Sequence, residues 1–391
     1  MKNLKNKIKS LSESYFKDTV EIRRHLHAFP ELSFKEFKTS DYIQQILLDY
    51  GIPFTSGVAG TGVVGLIKGK NPNLKCIALR ADIDALPIQE LNDFDYKSKN
   101  DGVMHACGHD VHTSSLLGSA RILNELKDEW EGTIKLIFQP GEEKFPGGAS
   151  MMISEGVLKN PKVNKIIAQH VSPELESGMI GMCSGMFMAS ADEIYINVEG
   201  KGGHAALPEG RVNPIIIACK IITSLYDRFD KVKDHPSIFS IGFIEGGSAG
   251  NIIPDRVSLQ GTFRAMNEKW RKEAHRIIKD ICFSTSQEMN GECIIDIKVG
   301  YPFLKNDESF TKKCFFNAQN FIDSGRVIKI PKRMTAEDFS YYSHHVPACF
   351  YRLGVGAGNQ DRKHLHSAYF DIDESALKVS IGMMSWLAIN S

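Results

Sequence analysis

Apolar residues recur at helical spacing from Leu4 through Ile8, Leu11, Phe16, Val20, Ile22 and Leu26, and the run stops near Pro30. That spacing predicts an opening helix over 4–28, and a second fits 40–50, closed by Gly51-Ile52-Pro53. Short apolar runs bounded by Gly, Pro and Asp then predict strands over 62–67, 76–80, 133–139 and 163–170, with a helix over 112–126 among them. Near residue 185 the pattern changes. Residues 194–199 alternate apolar and polar before the turn Gly200-Lys201-Gly202-Gly203. A helix over 213–229, strands over 239–246 and 256–264, a helix over 268–284 and a strand over 293–299 follow. This is a β-α-β-β-α-β order, a small α+β (ferredoxin-like) unit set into a larger domain. From 304 the α/β pattern resumes and finishes with a helix over 374–389. The expected architecture is α/β: a central mixed sheet flanked by helices, formed by 1–184 and 304–391, around an inserted domain at 185–303.

At 391 residues the chain is long for one core, in keeping with two domains. Lys plus Arg and Asp plus Glu number 47 each, so no electrostatic footprint for nucleic acid or an anionic membrane is expected. The basic start lacks the apolar stretch of a signal peptide, and no run approaches the length of a membrane span. Eight cysteines without a paired framework fit a reducing cytoplasm.

Cys107 stands apart because of its neighbours. His105-Ala106-Cys107-Gly108-His109-Asp110 places a thiolate and an imidazole two residues apart. About 30 residues on, Gln139-Pro140-Gly141-Glu142-Glu143 offers a hard oxygen ligand beside a group able to carry a proton. Such a mixture suits zinc or another divalent first-row metal, whose bound water is a hydrolytic nucleophile near neutral pH. Cys107, His109, Glu143, His170 and His366 are the candidate ligands, each in a turn or at a predicted strand end. Five side chains with one bridging ligand and a bridging water satisfy two ions. Each residue alone has a plainer explanation: His170 as a hydrogen-bonded histidine closing a strand, His366 as a surface residue beside His364, Glu142-Glu143 as a solvated pair.

The order Arg24-x-x-His27-x-x-Pro30-Glu31-Leu32, Leu79-Arg80-Ala81-Asp82-x-Asp84-Ala85-Leu86-Pro87, Met104 to Thr113, Phe138-Gln139-Pro140-x-Glu142-Glu143, Gly202-Gly203-His204-Ala205-Ala206 and Asn251-x-Ile253-Pro254 resembles the amidohydrolase branch of the aminoacylase/carboxypeptidase metallopeptidases. That branch includes N-acyl-amino-acid amidohydrolases, hippurate hydrolases and N-acetyldiaminopimelate deacetylases. The resemblance runs from about residue 20 to residue 385. It implies two domains, the inserted one serving as a lid and for homodimerisation, and two divalent ions per subunit. It also implies hydrolysis of the amide of N-acyl-L-amino acids, with a metal-bridged water as nucleophile. Matched residue by residue, Cys107, His109, Glu143, His170 and His366 fall on the metal ligands and Glu142 on the general base. His204 is the expected oxyanion donor, from its own or a partner subunit, and Asn251 and Arg264 the expected clamp on the substrate carboxylate. Asp84 and Asp110 are expected to orient ligand imidazoles rather than to ligate. His105, His112, Glu337 and Asp338 are further pocket candidates without a role.

Departures from the family pattern are Gly141 in place of the usual alanine, extra chain through Lys144-Phe145-Pro146, Pro208-Glu209 for a common Pro-His, and Asn213 for a common Asp. They leave the metal ligands alone and bear on substrate preference. Zinc, manganese, cobalt and nickel all suit the donors. A dipeptidase or carboxypeptidase using the same centre is the alternative activity, one that would need an acidic anchor for an α-amine. A non-catalytic homologue would have lost Glu142 or a ligand, and all are present.

Overall fold

The computed structural model describes residues 2–207, 209–357 and 364–391. The chain divides into two compact units. One comprises Met1–Gly185, Lys305–Pro331 and Asp338–Ser391, the other Met186–Leu304 and Lys332–Glu337. The segment Lys332–Glu337, expected with the C-terminal part of the larger domain, goes with the second unit. There Arg333 N–H donates to the Phe187 carbonyl at 2.9 Å.

Among the described residues, an eight-stranded mixed sheet forms the first unit. Its spatial order is Phe54–Val58, Gly62–Lys68, Thr133–Gln139, Cys76–Asp82, Lys165–Glu176, Ala348–Gly356, Ile180–Met182 and Val327–Lys329. The four middle strands, from Thr133–Gln139 to Ala348–Gly356, are mutually parallel. Every residue of Cys76–Asp82 and Thr133–Gln139 is buried, as a sheet covered on both faces requires; this is why those strands read as largely apolar runs, with Arg80, Asp82 and Lys135 as buried exceptions. Register brings the chemistry together. Asp82 pairs with Gln139 and Arg80 with Ala168, so the Asp82–Asp84 turn, the Glu142-Glu143 loop and His170 come level at the carboxyl end of the parallel strands.

Helix His109–Glu125 covers the sheet and begins three residues before its expected start. It packs closely on Ala376–Ile389, a helix apolar on nearly every side. A Cβ on Gly118 would come within 2.6 Å of Ile381, and Ser119 Oγ donates to the Ile381 carbonyl at 3.0 Å. The predicted opening helix is two helices, Lys2–Ser14 and Phe16–Ala28, broken at Tyr15, whose ψ of 0° leaves the helical range.

The second unit has the β-α-β-β-α-β order read from its sequence. Its four-stranded antiparallel sheet runs Ser237–Glu245, Arg256–Ala265, Asp192–Glu199, Glu292–Val299. Alternation along Asp192–Glu199 buries Ile194, Ile196 and Val198 in one core with Ile217 and Ile221 of helix Pro214–Asp230 and Ile278 of helix Glu268–Glu288. Asn213 and Asn267 cap these helices, accepting from Ile215 N–H and Trp270 N–H at 3.0 Å each. At position 213, asparagine thus does what an aspartate would do.

Candidate metal centre

Cys107 and His109 straddle Gly108, whose φ of 81° is left-handed and which leads into helix His109–Glu125. A Cβ at Gly108 would come within 2.6 Å of Val171 Cγ2, so this turn can approach the strand carrying His170 only with glycine. Cys107 Sγ lies 3.4 Å from His170 Nε2. His366, in the left-handed region at φ 63°, is held by its N–H to the Ala106 carbonyl at 2.8 Å, and its Nε2 is 3.4 Å from Glu143 Oε1. A non-glycine residue kept at such a φ is strain of the kind that collects at functional sites. His109 Nε2 lies 3.9 Å from the same Glu143 oxygen. All five expected ligands are therefore brought together. The donor atoms of Cys107, His109 and His170 lie within 4.8 Å of one another, as do those of Cys107, Glu143 and His366, with Cys107 common to both groups.

Hydrogen bonds fix which face each imidazole presents. His170 Nδ1 meets the Val171 carbonyl at 2.8 Å, and His109 Nδ1 meets Asp84 Oδ1 at 3.1 Å. A carbonyl and a carboxylate only accept, so both rings carry a proton on Nδ1 and turn Nε2 toward the cluster. Asp84 does more than orient His109: its second oxygen takes Ser33 Oγ at 2.6 Å and Glu143 N–H at 3.0 Å. Glu36, not singled out by the sequence, is a fully buried carboxylate that accepts Gly141 N–H at 2.9 Å and Phe34 N–H at 2.8 Å, and so anchors the glutamate loop. Gly141 has φ 58°, and a Cβ there would lie 2.4 Å from the Phe34 ring, so in this chain the phenylalanine fills the space that an alanine would need.

Glu142, 6% exposed, is set beside these donors, its Oε1 3.4 Å from Asp338 N–H. Together with His109 and Glu143 it forms a third group of oxygen and nitrogen donors within 4.8 Å.

Asp110 departs from expectation. It does not reach a ligand imidazole but accepts Arg23 Nε at 2.7 Å and pairs with His27 Nδ1 at 2.8 Å, all three side chains fully buried. Successive residues of a helix point about 100° apart, so Asp110 cannot share the face of His109. His105 is buried with neither ring nitrogen partnered among the described residues, and burial presses its pKa down to about 4.

Titration within the cluster is strongly displaced. Burial pushes the Cys107 thiol up, and the Glu143 carboxylate adds to it. Burial works against a charged His109, yet Asp82 and then Cys107 carry its pKa well above the free value. The neighbouring Cys107 thiol and then the Glu143 carboxylate lift His366 to about 10. Burial and then Arg352 hold His170 well below its ordinary value. Thiol, carboxylates and imidazoles are competing for positive charge. His109 Nε2 and Glu143 Oε1 are buried without a hydrogen-bond partner among the described residues. An orphaned imidazole nitrogen and carboxylate oxygen beside a thiol are the donors that divalent first-row ions take.

The candidates of the second unit lie differently. His204 sits on the two-residue strand Gly203–His204, paired with Ile252–Ile253, and Ala205 N–H donates to the Asn251 carbonyl at 2.9 Å, so His204 and Asn251 are neighbours. Both side chains are exposed, and His204 Nδ1 accepts Ala206 N–H at 3.1 Å. Arg211 packs over the Gly202-Gly203 turn, donating to the Gly202 carbonyl at 2.6 Å. Arg264 is half-buried rather than an exposed strand-end cation, and it donates to the Met334 carbonyl at 3.2 Å. Pro208 lies outside the described residues.

The profile of the Peptidase family M20/M25/M40 matches residues 78–389. An N-acetyl-L-cysteine deacetylase of Bacillus subtilis is 38% identical over 92% of this chain and 85% of its own. A thermostable carboxypeptidase of Saccharolobus solfataricus is 36% identical over 100% of this chain and 98% of its own. Among solved structures, a dinuclear metal-binding M20-family peptidase of Bacillus subtilis superposes with a TM-score of 0.83 at 32% identity, over 96% of this chain and 98% of that one.

Proposed function

Because the chain belongs to the Peptidase family M20/M25/M40 and is a metal-dependent hydrolase, we propose that it cleaves the amide bond of N-acyl-L-amino acids, releasing a carboxylate and a free amino acid. The observation that carries the proposal is the buried donor cluster, in which His109 Nε2 and Glu143 Oε1 have no hydrogen-bond partner among the described residues. Cys107, His109, Glu143, His170 and His366 would hold two divalent ions. Such ions supply a water of lowered pKa and a Lewis acid for the scissile carbonyl. Glu142, buried beside the donors, would take the water's proton and return it to the leaving nitrogen. His204 would donate to the oxyanion that develops on the tetrahedral carbon. Asn251 and Arg264 would receive the carboxylate that every N-acyl amino acid carries next to the scissile bond.

The likeness to carboxypeptidases supports a second activity at the same centre, removal of a C-terminal residue. Both substrates offer an amide next to a carboxylate; they differ in whether a peptide or a simple acyl group precedes it. A homodimer through the second unit is part of the proposal. Its edge strand Ser237–Glu245 exposes Ile238, Phe243 and Ile244, and an unpaired apolar edge is a template for a second copy. A reducing cytoplasm is supported by eight cysteines, all free. No helix among the described residues is long and apolar enough to cross a membrane.

The deciding experiment assays N-acetyl, N-benzoyl and longer-chain acyl amino acids beside dipeptides, on metal-stripped protein with zinc, manganese, cobalt or nickel restored singly. Release of amino acid from blocked substrates in preference to dipeptides supports the proposal. A preference for free-amine dipeptides overturns it in favour of the peptidase.

A further inference from the structure

His112 lies three residues beyond His109 on the same helical face, and the donor atoms of Asp82, His109 and His112 fall within 4.8 Å of one another. Proximity alone would make His112 another ligand. Its hydrogen bonds exclude that. Nε2 accepts Val171 N–H at 2.9 Å, and since a peptide N–H only donates, the ring's proton must sit on Nδ1, which faces Asp82 Oδ1 at 2.5 Å. Both nitrogens are committed.

Asp82 is committed as well. Its other oxygen accepts Arg80 Nη1 at 2.6 Å, and Arg80 reaches onward to Asp338 Oδ1 at 2.7 Å and Gln139 Oε1 at 2.9 Å. All of these side chains are fully buried. Val171 forms the other end of the chain of contacts: its N–H, in the peptide that joins it to His170, goes to His112, and its carbonyl, in the next peptide, takes the Nδ1 proton of His170. Asp84 acts on a ligand ring directly, whereas Asp82 and His112 act on the backbone at the residue against which a ligand ring is set.

We propose that Asp82 and His112 are positioning residues for His170: Arg80 fixes Asp82, Asp82 fixes the tautomer of His112, and His112 holds the backbone N–H of Val171, the residue whose carbonyl aims His170 Nε2 at the metal centre. The inference rests on His170 being a metal ligand. It gives helix His109–Glu125 two duties, supplying one ligand at its first residue and propping a second through the strand beneath.

The test compares wild type, His112→Phe, His112→Gln and Asp82→Asn. Each metal-stripped protein, its fold checked by circular dichroism, is titrated with zinc against a chromophoric chelator, and cobalt-loaded samples report the thiolate-to-metal absorption. Wild type should take two ions. His112→Phe, which leaves Val171 N–H unbonded, should weaken at least one of them about 10- to 100-fold and alter the cobalt spectrum, the usual cost of losing a group that orients a ligand. His112→Gln, whose amide oxygen can still accept from Val171, should recover most of the affinity. Zinc affinities within twofold of wild type in a folded His112→Phe, with only the melting temperature lowered, would reduce the network to structural support and overturn the proposal. Should His112→Phe not fold, Asp82→Asn decides: weakened zinc binding supports the proposal, and wild-type affinity overturns it. A wild-type chain that takes up no zinc strikes instead at the metal centre itself, a failure told apart because it precedes any mutation.

Discussion

Cys107, His109, His170 and Glu142 are buried in the first unit at the carboxyl end of the parallel strands of a mixed sheet, whereas His204 of the second is exposed on a two-residue ladder with Asn251 exposed beside it. In the first unit nearly every functional atom is aimed by a second group: Asp84 for His109, the Val171 carbonyl for His170, Asp338 N–H for Glu142. In the second, among the described residues, the His204 side chain is steadied by Ala206 N–H and that of Arg264 by the Met334 carbonyl. The contrast matches the two kinds of work proposed for them. Groups proposed to hold ions and move a proton would gain from fixed geometry in a medium of low polarity, where electrostatic preorganisation counts for most. Groups proposed to receive a variable acyl substrate would gain from remaining at a surface.

Mutations can break this division. Glu142→Gln should leave metal content unchanged while lowering kcat about 10²–10⁴-fold, the range for losing a general base; near wild-type turnover would remove Glu142 from proton transfer. His204→Ala should also keep the metal and lower kcat about 10²–10³-fold, with a smaller effect on KM. If KM carried the loss instead, His204 would be a binding residue.

Within the second unit, Asp192 is buried and bonded to Arg271, to His275 at 2.7 Å and to Gly300 N–H at 3.2 Å. Asp192→Asn should cost up to about 3–5 kcal/mol in chemical denaturation, because the buried Arg271 then keeps only the partly exposed Glu268, 3.1 Å away, as a counter-charge, yet it should leave zinc affinity intact. Burial opposes ionisation of Asp192, but its bonds to Arg271 and His275 outweigh that and lower its pKa. Its stabilisation is therefore complete above about pH 4, the range of an unfolded carboxyl, and is lost as pH falls through the lowered folded value. The stability gap between wild type and variant should close in that direction only. The smallest effect is expected at Gly141. An alanine there meets the Phe34 ring and adopts a positive φ, so Gly141→Ala should cost about 1–3 kcal/mol, relieved in part by Phe34→Leu.

Much of the fold was legible because its elements carry strong periodicity. Doubly covered strands appear as apolar runs at 76–80 and 133–139, and the one-faced sheet of the second unit as alternation at 194–199. Strand Ala348–Gly356 and helix Glu308–Phe321 were read from the sequence only as part of a resumed α/β pattern. At the site, residue identity and family resemblance pointed to the five candidate ligands that the fold gathers. They did not disclose which neighbour serves which ligand. Asp110 is adjacent to His109 in sequence yet bonds Arg23, and Asp82 lies in a quoted motif yet works through His112. Such pairings depend on side-chain direction and strand register, which a linear pattern does not encode.

The most direct measurement is a titration of metal-stripped protein with zinc or manganese, following binding and hydrolysis of an N-acyl amino acid in the same sample. The buried cluster predicts no turnover without metal, activity that levels off at about two equivalents per chain, and loss of both binding and activity in Cys107→Ala. Hydrolysis that persists in the stripped protein, or full binding by Cys107→Ala, would contradict it.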